Sequence, residues 1–319
     1  RNISAKYKER GCMRKEYGVL VGLDVQPNSL NLVALVSDGK SLHLSGADHR
    51  ILPAGVVEQG NWRNRELMCE VLHQGCAALG ASVKSVALSL STDAVITSEL
   101  LLPSRAFVHQ QCAEVSDAVK RLTPWTYSNT AADWWSYGDG RALLAMCRVD
   151  TLNTARRCLL EVGLQLRHVE PECQSHWRLL DRLRREQSTE QSVLMLVNVQ
   201  PDLLSMSVFC AGALHFSQSV KSEYRRDASL RERFVLEEVQ EALRQAELDT
   251  VADGLIAVTG VLADESLCAV LGSAFAVSVT LLSPLMSTLG ITQESRLGCG
   301  DSEPCLGVAL GCALWGFND

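Results

Sequence analysis

The residues with chemical potential sit in two short stretches that repeat each other. The first, Val21 to Val33, reads Val-Gly-Leu-Asp-Val-Gln-Pro-Asn-Ser-Leu-Asn-Leu-Val. Its apolar run predicts a buried strand ending on one carboxylate, Asp24, followed by a tight turn into a second strand. The second, Leu196 to Val208, reads Leu-Val-Asn-Val-Gln-Pro-Asp-Leu-Leu-Ser-Met-Ser-Val. Val-Gln-Pro stands at 25–27 and again at 199–201, and a small polar side chain precedes each copy, Asp24 in one and Asn198 in the other. A strand-end carboxylate beside a tight turn suits a hydrated cation or a phosphate cradled by backbone amides. Self-similarity at this range predicts two related α/β halves, each opened by the same hairpin. A second reading of Asp24 stands beside the first: a strand-end carboxylate that satisfies the amides of its own turn.

Other chemistries find little support. A net charge of −7, with no basic block beyond the extreme N-terminus, argues against nucleic acid as the main partner. The twelve cysteines form no Cys-x-x-Cys pair and meet no histidine at zinc spacing, so they read as reduced core thiols of a cytosolic protein. The seven histidines are scattered. No Gly-x-Ser-x-Gly or Gly-Lys-Ser/Thr motif occurs, and no catalytic residue or metal-ligand set is assigned. No apolar run reaches the roughly 20 residues of a membrane span.

The remaining elements must position the two turns. Residues 1–16 read as a flexible extension and 17–103 as a first α/β subdomain with strands at 17–24, 30–37, 41–44, 85–90 and 95–102. Its helix, 63–79, carries Leu67, Met68, Val71, Leu72, Cys76 and Leu79 on one face. Residues 104–170 read as an inserted α+β subdomain: a helix capped by Ser104, a hairpin of 131–137 and 141–148, a helix capped by Asp150, and a closing strand at 164–169. A linking helix and polar boundary occupy 171–191. The second half, 192–319, starts with strands at 193–199, 203–210 and 213–220. A helix at 226–249 forms a smaller element around 221–252. A strand at 255–258 leads to Thr259-Gly260. A helix at 264–271, a strand at 275–282 and an apolar helix at 304–316 complete the pattern.

In this order the chain resembles the PilM family of type IV pilus assembly proteins, with its HofM and MshI relatives, in the FtsA-like superfamily. Gly22-Leu23-Asp24-Val25 looks like the family's opening Gly-Leu-Asp-Ile. Leu52-Pro53-Ala54-Gly55-Val56-Val57-Glu58-Gln59-Gly60 looks like the segment before its first long helix. Val86-Ala87-Leu88-Ser89-Leu90 with Val95-Ile96-Thr97 looks like its next strand pair. Leu102-Pro103, Pro124, Asp133-Trp134-Trp135, Val169-Glu170-Pro171 and Gly307-Val308-Ala309-Leu310-Gly311 follow at matching places. The resemblance implies an α/β, actin-like (ribonuclease H-like) bilobal fold with the inserted α+β subdomain. In that fold the two turns clamp nucleotide phosphates and a glycine-ended strand meets the nucleoside.

The resemblance also implies a cytoplasmic scaffold, peripheral at the inner membrane and working with other pilus alignment or motor components. In the family, a groove between the first subdomain and the insert receives the N-terminal cytoplasmic peptide of PilN, an inner-membrane protein. Trp125, Trp134 and Trp135 mark that groove here, with one of the tandem pair facing the core and the other outward.

The departures fall on the phosphate turns. Gln26 and Gln200 stand where the family has glycine, and Pro27 and Pro201 have no N–H to donate. The family's lysine is Asn31, Asp202 brings negative charge toward a phosphate, Asn198 lacks the charge a hydrated metal favours, and Gly260 is followed by Val261. Asp24, Asn28, Ser29, Asn198, Asp202, Ser205 and Gly260 are therefore expected to outline a vestigial nucleotide site. No cofactor is expected beyond weak Mg-ATP binding, and no hydrolysis. Two alternatives are an actin-like ATPase with unusual phosphate loops and a GspL-like type II secretion component. The latter continues into a membrane helix, and this chain reaches Asp319 without one.

Overall fold

Each copy of the repeat folds into a hairpin at the middle of its own sheet. The computed structural model describes residues 18–38, 41–80, 83–102, 108–137, 139–187, 191–222, 227–248, 253–282, 292–293 and 304–317. Strands β1 (Val19–Gln26) and β2 (Ser29–Ser37) pair antiparallel across Pro27-Asn28, with Asp24 opposite Asn31. After them come β3 (Leu42–Ile51), the short hairpin β4 (Val57–Glu58) and β5 (Asn61–Trp62), helix α1 (Arg65–Ala78), β6 (Ser85–Leu90) and β7 (Val95–Leu101). Then follow α2 (Val108–Leu122), β8 (Thr130–Ser136), β9 (Arg141–Arg148), α3 (Val149–Glu161), β10 (Gln165–Pro171) and α4 (Glu172–Glu186). The second half carries β11 (Val193–Val199), β12 (Leu203–Cys210), β13 (Ala213–Lys221), α5 (Ala228–Gln245), β14 (Gly254–Thr259), α6 (Glu265–Phe275), β15 (Ser278–Leu281), β16 (Thr292–Gln293) and α7 (Gly307–Ala313).

The first sheet runs β10-β6-β1-β2-β3-β16 and the second β13-β12-β11-β14-β15. Both place an antiparallel hairpin and a third meander strand beside two parallel strands, β6 and β10 in the first and β14 and β15 in the second. Asp24 lies in register with Ser89 of β6, and Asn198 with Thr259 of β14. The two halves are thus copies at the level of sheet register. β1 and β11 are buried along nearly their whole length, as strands covered on both faces must be, which is why both read as apolar runs until Asp24 and Asn198. One core lies between the first sheet, α1 and α3, and another between the second sheet, α5 and α6. A third joins the halves: Val33 and Leu35 of β2 share it with Leu194 and Leu196 of β11, Leu179 and Leu180 of α4, and Leu310 of α7.

Strand partners correct the expected course of the insert. The third sheet is β7-β9-β8, covered by α2 through Val115, Ala118 and Val119. β7 therefore belongs with the inserted hairpin, and β10 pairs parallel with β6 in the first sheet. Helix α3 buries Ala155, Cys158 and Leu159 in the same core as Met68 and Leu72 of α1. Periodicity predicts that these segments are strands and a helix, but pairing is decided by distant segments. Asp150 lies in the first turn of α3, whose N-cap is Arg148. α6 continues past the expected end to Phe275, where Ala276 closes it in the left-handed conformation (φ 54°), so β15 starts at Ser278. The expected Ser104 cap, the 1–16 extension and parts of the 221–252 element lie outside the described residues.

Candidate functional site

The two Gln-Pro turns face each other across a cleft of about 150 Å³, bounded by Pro27, Ile51, Pro201, Leu203 and Val261 with Gln26, Asn28, Ser29, His49, Gln200 and Asp202. Their tips are joined directly, because Asn28 Nδ2 donates to Asp202 Oδ2. Each glutamine folds back on the residue two before it. Gln26 Nε2 donates to Asp24 Oδ1 (2.7 Å), and Gln200 Nε2 donates to Asn198 Oδ1 (2.9 Å). The same substitution in both copies makes the same contact. A side-chain amide folds into each turn, and Pro27 and Pro201 have no N–H to donate.

Asp24 is fully buried and also accepts from Asn31 Nδ2 at 2.9 Å. Asn198 occupies the matching place in the second half, and its partner carboxylate comes from elsewhere. Glu172, at the start of α4, accepts from Asn198 Nδ2 (3.0 Å) and Ser205 Oγ (2.7 Å) on the second sheet. Its other oxygen accepts from the backbone N–H (3.2 Å) and hydroxyl (3.0 Å) of Thr92 in the first half. His176 Nε2 stands 3.4 Å away. Glu172 thus ties both halves to the linking helix. The helix is aimed by its neighbour: Glu170 accepts from Ser175 Oγ at 2.6 Å and from Arg178 Nη1 at 2.5 Å. Burial pushes the Glu170 carboxyl up, but the Arg178 guanidinium and the His168 ring outweigh it and hold the group down at about 2.

The two buried carboxylates diverge. Burial first, and then the charge of Glu172, pushes Asp24 up to about 7. Burial acts on Glu172 as well, but the nearby His176 ring and the hydrogen bonds from Ser205 and Asn198 hold it below the ordinary range. Folding thus makes Asp24 take up a proton between its unfolded value of 3.8 and its folded one. Its contribution to stability is full below the unfolded value and is lost as pH rises through the folded one, by at most about 1.4 kcal/mol per pH unit. Asp24→Asn abolishes this loss. Denaturant melts across pH 5 to 8 should show the variant gaining on the parent as pH rises. A constant offset between the two would rule this out.

Ser29 is buried and lines the cleft, and Ser205 faces Glu172. Gly260 has φ 110°, and a Cβ there would stand 2.3 Å from the Val199 carbonyl oxygen, so close backbone approach explains the glycine. Trp134 packs on the inner face of the inserted sheet, Trp135 is 55% exposed on the outer face, and Trp125 lies over the Arg148 guanidinium at 5.6 Å. The tryptophans are thus apart from the turns. Sequence reasoning missed Glu172, Thr92 and His176. An acid in a first helical turn reads as a dipole partner, and only its place right after Val169-Glu170-Pro171 hinted at more. Among the described residues no group of three or more His, Cys, Asp or Glu could hold a metal, and no helix is long and apolar enough to cross a membrane.

A family model described as type IV pilus assembly protein PilM matches residues 22–222. No curated protein matches the chain. A solved PilM–PilN type IV pilus biogenesis complex superposes at 17% identity with a TM-score of 0.75, over 96% of this chain and 100% of that one. A Bacteroides thetaiotaomicron protein with an actin-like ATPase fold and unknown function is similar at 12% identity and a TM-score of 0.51, over 84% and 92% of the two chains. The cytoplasmic domain of EpsL, an inner-membrane component of the Vibrio cholerae type II secretion system, is similar at 10% identity and 0.50, over 92% and 94%. These likenesses show an actin-like fold. With the family model spanning well over half its length, the chain belongs to the PilM family of type IV pilus assembly proteins.

Proposed function

We propose that the chain is a cytoplasmic scaffold of a type IV pilus or DNA-uptake pseudopilus. It is held at the inner membrane by docking the N-terminal peptide of a PilN-like protein, and it works without hydrolysing ATP. The observation that carries this is the superposition on the PilM–PilN complex along the whole length of that chain. The inserted sheet offers the surface. β8 is an edge strand, and it carries the exposed Trp135 on the same face as the exposed Leu101 of β7. Edge strands with apolar neighbours take up extended peptides by strand addition.

The turns support the absence of nucleotide chemistry: their glycines are replaced, their amides are engaged, and Asn28 and Asp202 close the gap. Calorimetry with the N-terminal peptide of the cognate PilN-like protein should show binding that does not change with Mg-ATP. Trp135→Ala should weaken it by about 2 kcal/mol, the loss expected of an interfacial aromatic anchor. Absence of binding under both conditions would sink the proposal. A thermal-shift titration should be flat with Mg-ATP, since a ligand at 100 times its dissociation constant adds about 2.7 kcal/mol.

A further inference from the structure

We propose that the outer corner of the first sheet, where α3 ends and β6 and β10 begin, is a docking surface for anionic phospholipid headgroups. The proposal rests on the inner-membrane reading above and names the face that meets the lipid. It starts from how the exposed cations are placed. Arg63, Arg65, Lys120, Arg233 and Arg244 each lie against a carboxylate. Lys84, Arg156, Arg157 and Arg167 are also exposed, but among the described residues they have no ion pair. These four gather at one corner.

Helix α3 buries Ala155, Cys158 and Leu159 and turns Arg156, Arg157 and Leu160 outward. Leu160 follows the two arginines by four and three residues, so the three side chains adjoin on the outer face. The neighbouring acid, Glu161, is taken up by Arg65 of α1 at 3.1 Å. The Leu164 N–H donates to the Leu159 carbonyl (2.8 Å) and the Gln165 N–H to the Lys84 carbonyl (2.7 Å). These bonds bring the last turn of α3, the start of β10 and Lys84 together. Arg167 Nε donates to Ser85 Oγ at 3.3 Å and its Nη2 donates to Gln165 Oε1, which lays the guanidinium over the residue after Lys84. β10 is the outer strand of its sheet, so the corner faces away from the body.

Charge on an outer strand discourages edge pairing, which accounts for Arg167. It does not account for a leucine that is 69% exposed between two arginines. A lipid surface takes both features. Headgroup phosphates pair with guanidinium and ammonium groups, and an apolar side chain sinks into the headgroup boundary. The chain carries −7 overall, so attraction to an anionic surface must come from this corner rather than from net charge. One such patch binds weakly by itself, and a tether to a membrane protein raises its effective concentration at the surface.

The test is co-sedimentation of the whole chain with vesicles at low ionic strength, with no peptide present. Vesicles of equal parts phosphatidylcholine and phosphatidylglycerol should bind the chain, and pure phosphatidylcholine should not. Each basic residue near an anionic surface strengthens binding by about fivefold, so Arg156→Gln with Arg157→Gln should weaken it by roughly 25-fold. Arg233→Gln with Arg244→Gln, the same charge change on α5, should leave it unchanged. All four arginines are exposed, so both double variants keep the fold. Added salt should weaken binding of the parent chain, and Leu160→Ser should weaken it at every salt concentration.

No binding to the mixed vesicles, equal binding to both vesicle types, or equal losses in the two double variants would each overturn the proposal. Polyglutamate binding the chain where mixed vesicles do not would also overturn it, and would assign the corner to an acidic protein segment. Trp135→Ala leaves this assay unchanged, so failure here is separable from failure of peptide docking, which calorimetry reads.

Discussion

Glu172→Ala is expected to lower the unfolding free energy by about 3–5 kcal/mol, the loss seen when one partner of a buried charged network is removed. Four donor groups, from Thr92, Asn198 and Ser205, lose their acceptor at once, and each orphaned buried donor costs about 1–3 kcal/mol. The melting temperature should fall by roughly 5–7 °C. Acetate should restore part of the loss where chloride does not, because a carboxylate-shaped cavity remains between donors on both halves. Glu172→Gln gives an independent reading. It keeps the volume, removes the charge that helps push Asp24 up, and should move the Asp24 titration to lower pH. A Glu172→Ala loss below about 1 kcal/mol would show that Glu172 does not hold the halves together.

The exchange at this site explains what could and could not be read from the chain. The repeat was legible because Val-Gln-Pro recurs between apolar runs, and both hairpins pair as those runs require. The strands at 193–199 and 203–210 coincide with β11 and β12 because alternation and turn residues are local signals. The role of the glutamines was only half legible. Loss of glycine can be seen in the sequence, but the fold-back of Gln26 on Asp24 and of Gln200 on Asn198 depends on side-chain geometry. Glu172 was hidden because its partners lie 80, 26 and 33 residues away. The strands β7 and β10 were found but assigned to each other's sheets, for the same reason: registers between distant segments leave no periodic trace.

The two halves converge on α7, and its fit yields the other large expected effect. A Cβ on Gly22 would lie 1.8 Å from the Ala309 carbonyl oxygen, 2.5 Å from the Ala313 nitrogen and 2.9 Å from the Ala313 Cβ. All three atoms belong to the same helix. That helix cannot step back, since on its other side a Cβ on Gly311 would already stand 2.3 Å from the Ser175 carbonyl oxygen of α4. Overpacking of well-filled cores costs about 1–3 kcal/mol and more where nothing can yield.

Here backbone meets backbone, so Gly22→Ala should cost about 3 kcal/mol or more, with hydrogen exchange in α7 accelerated ahead of the rest of the chain. Gly18→Ala, at a position with nothing within 4 Å, is the matched control and should change little. A Gly22→Ala chain within about 1 kcal/mol of the parent would mean that α7 adjusts freely. A loosened α7 also frees the inter-half core, so the Gly22→Ala chain should lose the Asn28–Asp202 contact and open the cleft between the turns. The glycine of Gly22-Leu23-Asp24 is then required for the seating of the closing helix, and the spacing of the two turns depends on that seating.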